Sequence, residues 1–345
     1  MRTVTALTLV AAAALAAGLA AAPRGVSTAP AIRAQAVPLD ATNPARTRIG
    51  SLRYLGGWAL TSGNERFGGI SAMAVRRGEV VALSDAGTVI AFRIAADGAV
   101  SGTRIAPLPG GPGKIASKLN RDSESLQRDS SGRFWIGFEG ANAIWRYAAD
   151  FARAERHAAP VAMRRWPENG GPEAMVRLAD GRFLVFSEER PGPPGSTEAL
   201  LFGGDPTAPG AAAMRLGYRA PTGYRVTDGA ELPDGRVVLL NRRFTLLEGV
   251  SAIVTIVDPR GIVADQVLMP RIVARLAAPM TVDNMEALSV EREAGRTILW
   301  IASDDNFSGL QRTLLMKFAL ELPGVPARST HMRQGAGRGI PAGTS

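Results

Sequence analysis

Four acidic residues open short apolar segments at nearly regular intervals: Glu124, Glu173, Asp228 and Glu286. Ser71 holds the same place in an earlier copy, and the successive intervals from Ser71 to Glu286 are 53, 49, 55 and 58 residues. Carboxylates that meet in one pocket repel one another. They are tolerated when some are protonated, paired with arginine or bridged by a cation. Oxygen donors of this kind suit Ca²⁺, which would hold a phosphate and activate a water. The expected catalytic acids are Glu124, Glu173 and Glu286. The expected metal ligands are those three with Asp228 and Asp304, the last lying in the acidic knot Asp304-Asp305-Asn306. Arg66, Arg121 and Arg242 stand close to these motifs and are expected to bind an anionic substrate through their bidentate forks. An acid repeated in every unit equally suits a tie to the backbone amides of the next unit, and both readings stand here. A second acidic series, Asp85, Glu139, Glu188 and Asp304, ends the neighbouring strands and is expected at their opposite end.

Other chemistries are poorly supplied. The chain has no cysteine, which removes disulfides, thiolate metal sites and a cysteine nucleophile. Its two histidines, His157 and His331, have no motif around them. A Ser-His-Asp triad or a multi-histidine zinc site is not expected, and water is left as the nucleophile. The formal net charge of +9 suggests a nucleic-acid partner. Its distribution does not, because three arginines lie in residues 1–36 and three in residues 323–345, with no acid in either stretch. The remaining body carries 34 basic against 31 acidic residues, an ordinary surface.

The acids are set in a recurring unit. Each copy has a short apolar strand, a polar turn, and a stronger apolar strand with a polar or acidic end. The stronger strands are Val80-Val81-Ala82-Leu83-Ser84-Asp85, Phe134-Trp135-Ile136-Gly137-Phe138-Glu139, Phe183-Leu184-Val185-Phe186-Ser187-Glu188, Val237-Val238-Leu239-Leu240-Asn241-Arg242 and Ile298-Leu299-Trp300-Ile301-Ala302-Ser303-Asp304. Turns such as Asp180-Gly181-Arg182 and Asp234-Gly235-Arg236 use glycine where positive φ is required. Further strands follow in each unit, making four strands in about fifty residues, the size of a propeller blade. The fold class expected is all-β: a single β-propeller of five four-stranded blades. Six blades is the alternative, should residues 208–221 or 259–279 hide a degenerate one. The fifth unit lacks a fourth strand, and residues 49–60 can supply it, closing the ring between first and last strands and leaving no open edge. Trp135, Trp145, Trp166 and Trp300 are expected to pack within blades.

The N-terminus reads as a leader. Arg2 precedes an uncharged Ala/Leu/Val stretch, and Ala34-Gln35-Ala36 offers small residues for cleavage. An uncleaved anchor is the alternative reading. The expected division is a Sec-type signal peptide over 1–36, a linker over 37–47, the propeller over 48–322 and a disordered basic tail over 323–345. The expected location is periplasmic or secreted, with no stable membrane span after cleavage and a monomeric state.

The motifs Phe67-Gly68-Gly69-Ile70-Ser71, Asp122-Ser123-Glu124-Ser125-Leu126, Gly171-Pro172-Glu173-Ala174-Met175, Asn284-Met285-Glu286-Ala287-Leu288 and Ser303-Asp304-Asp305-Asn306-Phe307, in this order, resemble the phytase-like domain family. The resemblance runs from about residue 48 to 322. It implies an exported propeller with esterase-like activity, related in fold to calcium-dependent propeller phytases. Ser125 stands where the family has glycine, and Pro172 precedes the third acid. The function expected is metal-assisted hydrolysis of phosphate esters or related small anionic esters. A non-catalytic periplasmic propeller that binds a ligand or protein, and a lactonase-like metal enzyme, are the alternatives, because a fold does not fix a function.

Overall fold

A computed structural model describes residues 31–114 and 118–322. Residues 1–30 of the expected leader and the tail from 323 on lie outside the described residues. No helix among the described residues is long and apolar enough to cross a membrane.

The stronger apolar segments are strands with both faces covered, which is why they read as near-continuous hydrophobic runs instead of alternating ones. Val237, Val238, Leu239 and Leu240 are all fully buried, as are Phe183 to Phe186. Each pairs antiparallel with the strand before it. The inner strands are Ile70–Arg76, Ser123–Arg128, Pro172–Arg177, Arg225–Glu231 and Asn284–Glu293. Their partners are Glu79–Ser84, Phe134–Phe138, Phe183–Pro191, Val237–Thr245 and Arg296–Asp304. The inner strands touch one another in the cyclic order of the blades, and the fifth touches the first.

The result is a five-bladed propeller of four-stranded sheets. Leu52–Thr61 pairs antiparallel with Thr313–Leu320, with Leu52 opposite Leu320, and so closes the fifth blade. The segments in which a sixth blade could hide are accounted for. Ala213–Tyr218 is the fourth strand of blade three, and Arg271–Leu276 is the fourth strand of blade four. Between them, Val267–Leu268 adds a short parallel fifth strand to the edge of blade three.

Hydrophobic clusters fill the seams between blades. Val226, Val237 and Leu239 of blade four meet Val176, Leu184 and Phe186 of blade three. Val238 and Leu240, pointing the other way, meet Leu299, Ile301 and Met316 of blade five. Strand alternation thus lets one strand feed two cores. Trp135, Trp166 and Trp300 are buried in such seams.

The N-terminal boundaries differ from those expected. Arg33–Ala36 pairs with Leu52–Thr61 on the outer edge of blade five, and Ile32 is buried. Residues 37–47 are no free linker. Val37 donates its amide to the Gly57 carbonyl, Leu39 is fully buried, and the Leu39 carbonyl accepts the Thr281 amide at 2.7 Å. A polar, proline-containing segment conceals this role because Leu39 is its one fully buried apolar side chain, and the rest of the attachment runs through backbone atoms and Arg46.

Candidate functional site

One register detail repeats in all five blades. The pairing of the inner strand with its neighbour skips a single inner-strand residue: Ser71, Glu124, Glu173, Thr227 and Glu286. A bulge of this kind re-aims a side chain and is common beside functional sites. Three of the five bulge residues are the glutamates expected to be catalytic. In blade four the residue at the bulge is Thr227, so Asp228 is displaced by one position.

That displacement changes the role of Asp228. It is fully buried, and its carboxylate accepts the Gly229 amide and the Leu288 amide of blade five, both at 2.7 Å. Burial pushes its carboxyl well above the usual range, against the pull of those two amides. Asp228 is therefore a tie between blades, with both carboxylate oxygens engaged by amides, and it stands outside the close group of Asp122, Glu124 and Glu139. Replacing it with alanine would orphan two buried amides. Asp228→Ala should lower stability by about 3 kcal/mol, read as a urea midpoint, with Ca²⁺ affinity unchanged. Ser71 and Ser125 make comparable ties through their hydroxyls, to the carbonyls of Ser123 and Pro172.

Antiparallel pairing corrects a second expectation. The start of each inner strand lies beside the end of its partner: Ile70 faces Ser84, Ser123 faces Phe138, Pro172 faces Ser187 and Asn284 faces Asp304. The residues that end the second strands therefore share the mouth of the bulge residues and do not lie at the far end. In blade order they are Asp85, Glu139, Glu188, Arg242 and Asp304. Asp122, just before the second inner strand, joins them through Glu124 and Glu139.

The mouth thus gathers eight carboxylates, with Asp305 adjoining Asp304, around one half-buried arginine. Arg242 Nε lies 2.9 Å from Glu286 Oε1 and its Nη2 lies 3.6 Å from Glu188 Oε1. Glu286 Oε1 also accepts from Asn284 Nδ2 at 2.7 Å. Arg225, half exposed at the rim, reaches Glu188 Oε2 at 3.0 Å and Glu189 Oε1 at 2.5 Å. Glu188 is 8% exposed, yet its Oε1 accepts no hydrogen bond.

Burial and mutual repulsion raise the acids together. Burial, then the Glu173 charge and Asp122, push Glu124 well above the usual range. Burial, then Glu188, Glu139 and Glu286, do the same to Glu173, with Arg242 pulling back. Burial raises Glu286 despite Arg242. Glu139 is pushed up to about 7 by burial and the Asp122 charge, against a hydrogen bond with Glu173 and the Gly170 amide. Asp304 is pushed up to about 8 by burial and Glu286, against the Asn306 amide.

One oxygen each of Asp122, Glu124 and Glu139 lie within 4.8 Å of one another. Two Ca²⁺–oxygen bonds of about 2.3–2.6 Å span such a separation around one ion. The donor set is all oxygen, and the surrounding negative charge is in excess of the arginines. These residues fit a hard divalent cation.

The expected anion-binding arginines separate. Arg242 is in the mouth, though committed to carboxylates. Arg121 is 4% exposed and donates Nη1 to the Gly110 carbonyl, which Tyr147 Oη also bonds at 3.0 Å. It braces the loop after Leu108. Arg66 is exposed in the loop before the first inner strand, with no ion pair among the described residues. Asp122, Glu139 and Glu188 were missed as members of the acidic mouth. The signal was available in the hairpin rule that the start of one strand meets the end of the next.

Solved structures similar in chain path include a gluconolactonase from Xanthomonas campestris (14% identity, 85% of this chain and 99% of that one, TM-score 0.42). Another is the calcium-binding protein regucalcin from Agrobacterium tumefaciens (14%, 76% and 80%, 0.40). A third is the allergen Mala s 1 of Malassezia sympodialis (12%, 77% and 88%, 0.43). Among curated proteins no sequence matches the chain. Bulge glutamates, acidic mouth and five-bladed ring all fall in or around residues 65–307, which match the model of the Phytase-like family, described as esterase-like activity of phytase, and the chain belongs to that family.

Proposed function

We propose that the acidic mouth hydrolyses phosphate esters or related esters, with a divalent cation, Ca²⁺ foremost, and water as nucleophile. The observation that carries this reading is the approach of Asp122, Glu124 and Glu139 oxygens to within 4.8 Å in a mouth whose negative charge is only partly offset by Arg242 and Arg225. Those three residues would hold the cation, which when bound would polarise the ester oxygen and make water acidic. Glu139 and Glu173 share a hydrogen bond, and Glu139 sits at about 7. Glu173, raised by burial and by its acidic neighbours, is the member of the pair left to take a proton from water and return it to the leaving oxygen. Arg242 holds Glu286 and Glu188 in place.

No serine in the mouth has an activating base beside it in the described structure. Ser71, Ser123 and Ser125 spend their hydroxyl protons on backbone carbonyls. His157 stacks on Trp145 in the outer strands of blade two. Export to the periplasm or beyond is part of the proposal, supported by the apolar leader. Because Arg33–Ala36 is a strand of blade five, processing would fall before Ile32.

Ca²⁺ should raise the melting temperature of EDTA-treated protein and switch on hydrolysis of an aryl phosphate or aryl acetate. Glu124→Gln with Glu139→Gln should cut both Ca²⁺ affinity and turnover by about 100-fold. Absence of a Ca²⁺-dependent melting shift together with no turnover of either substrate would reject the reading.

A further inference from the structure

The inner strands have a second end. Three residues beyond each bulge the chain carries Ala74, Gln127, Val176, Ala230 and Ser289, mostly small. Beyond them the channel opens into a cavity of about 450 Å³ at the mouth opposite the acids. Its wall contains Arg76, Arg77, Arg128, Arg177 and Arg292, contributed by four of the five blades. Gln127 lies between the two mouths. Its Nε2 donates to the Gly229 carbonyl of blade four at 3.3 Å, and its Oε1 accepts the Arg177 amide of blade three at 3.1 Å.

The acids of this wall are already engaged. Glu291 accepts the Arg77 amide at 2.7 Å on one oxygen and Trp300 Nε1 at 2.9 Å on the other. Glu231 accepts the Ala179 amide, and Asp129 accepts Ser131 and the Arg133 amide. They hold loops in place more than they neutralise arginines. Arg128 pairs with Glu79 at 3.1 Å, and Arg177 lies over Trp135. The guanidinium groups of Arg76 and Arg77 have no hydrogen-bond or ion-pair partner among the described residues, and both residues are exposed at the cavity edge.

The geometry points to a second ligand site at this mouth, for a compact polyanion bearing two or more phosphate or carboxylate groups. Planar guanidinium forks recognise such groups bidentately. This cavity wall carries them from four blades, and among the described residues Arg76 and Arg77 are unengaged and Arg292 is bonded only to the Gly295 carbonyl. The cavity volume lies in the range of small-molecule sites. This assignment does not rest on the hydrolytic reading, since Gln127 separates the two mouths and they carry opposite charge.

The test uses pyrophosphate as the probe, with protein stripped of cations by EDTA and then dialysed free of the chelator, so that the acid mouth holds no cation and no polycarboxylate competes at the arginines. Pyrophosphate should bind by calorimetry and raise the melting temperature, more strongly than inorganic phosphate and less as salt rises. The variant Arg76→Gln, Arg77→Asn alters exposed side chains, and asparagine tolerates the left-handed backbone at position 77, where φ is 52°. Affinity should fall about tenfold for each guanidinium lost, while Ca²⁺-dependent turnover stays as in the parent. Arg177→Gln should weaken binding similarly. Unchanged pyrophosphate affinity in both variants would overturn the assignment. So would the absence of any heat or melting shift at millimolar probe, or loss of binding only on changing Arg242.

Discussion

Arg242→Met should lower the stability of the cation-free protein by about 3 kcal/mol at pH 8 and by less than about 1 kcal/mol at pH 5. The guanidinium is half-buried in the acidic mouth, its side chain 33% exposed, and it faces Glu286 and Glu188 directly while acting on Glu173 and Glu124. Removing one partner of a buried ion pair leaves the other charge without compensation. Burial and mutual repulsion raise Glu124, Glu173 and Glu286, so lowering the pH removes negative charge that the guanidinium would otherwise offset. Methionine keeps most of the packing volume, so an electrostatic loss is separable from a cavity. Arg225→Met is the control. Arg225 also reaches Glu188, but it is half exposed, and exposed pairs are worth about 0–1 kcal/mol. Urea midpoints at the two pH values measure both. Equal losses at pH 5 and pH 8 would mean that Arg242 serves packing alone.

Raising the pH from 5 to 8.5 should destabilise the cation-free protein, and saturating Ca²⁺ should reverse most of the loss. Glu139 moves from an ordinary value of 4.5 to about 7 on folding, and Asp304 from 3.8 to about 8. Between those values the folded chain binds more protons than the unfolded chain, so stability must fall with pH. The contribution is full below about pH 4 and is lost as pH passes through 7 to 8. Glu124, Glu173 and Glu286 are displaced in the same direction. Allowing for screening by solvent and for coupling among the groups, the loss should amount to about 3 kcal/mol. A cation replaces protons as the neutralising charge, so Ca²⁺ binding should release protons below pH 8 and tighten as pH rises. Urea midpoints across the range, in EDTA and in Ca²⁺, provide the measurement. A stability that is flat or rises from pH 5 to 8.5 in EDTA would contradict the picture of mutually repelling buried acids.

These two expectations concern one mouth, and the opposite mouth carries the opposite sign. The arrangement follows from the way each blade is threaded. Every inner strand runs from the acid end to the arginine end, so a preference for Asp or Glu at strand starts, and for Arg near strand ends, becomes an axial separation of charge. Arg76, Arg128 and Arg177 sit at or near the ends of their inner strands, as Glu124 and Glu173 sit at the starts.

Sequence alone determined the five-unit repeat, the four-strand content of each blade and a closing strand within residues 49–60, which the structure places at Leu52–Thr61. Those follow from run lengths, turn residues and chain length, all of which are local properties. It also singled out Glu124, Glu173 and Glu286. Tertiary structure decided the rest. Antiparallel register carried Glu139, Glu188, Asp85 and Asp304 to the same mouth as the bulge residues, and placed Arg242 among them. The bulge in blade four turned Thr227 to the position held by glutamate in blades two, three and five, and left Asp228 to bind the Leu288 amide. Arg121 was drawn inward by the Gly110 carbonyl. The physical reason is common to these cases. Successive strand residues face opposite sides, so a single inserted residue exchanges a site ligand for a structural tie. Spacing near fifty residues located the acids to within a position or two, and that last position is set by hydrogen bonds between strands distant in the chain.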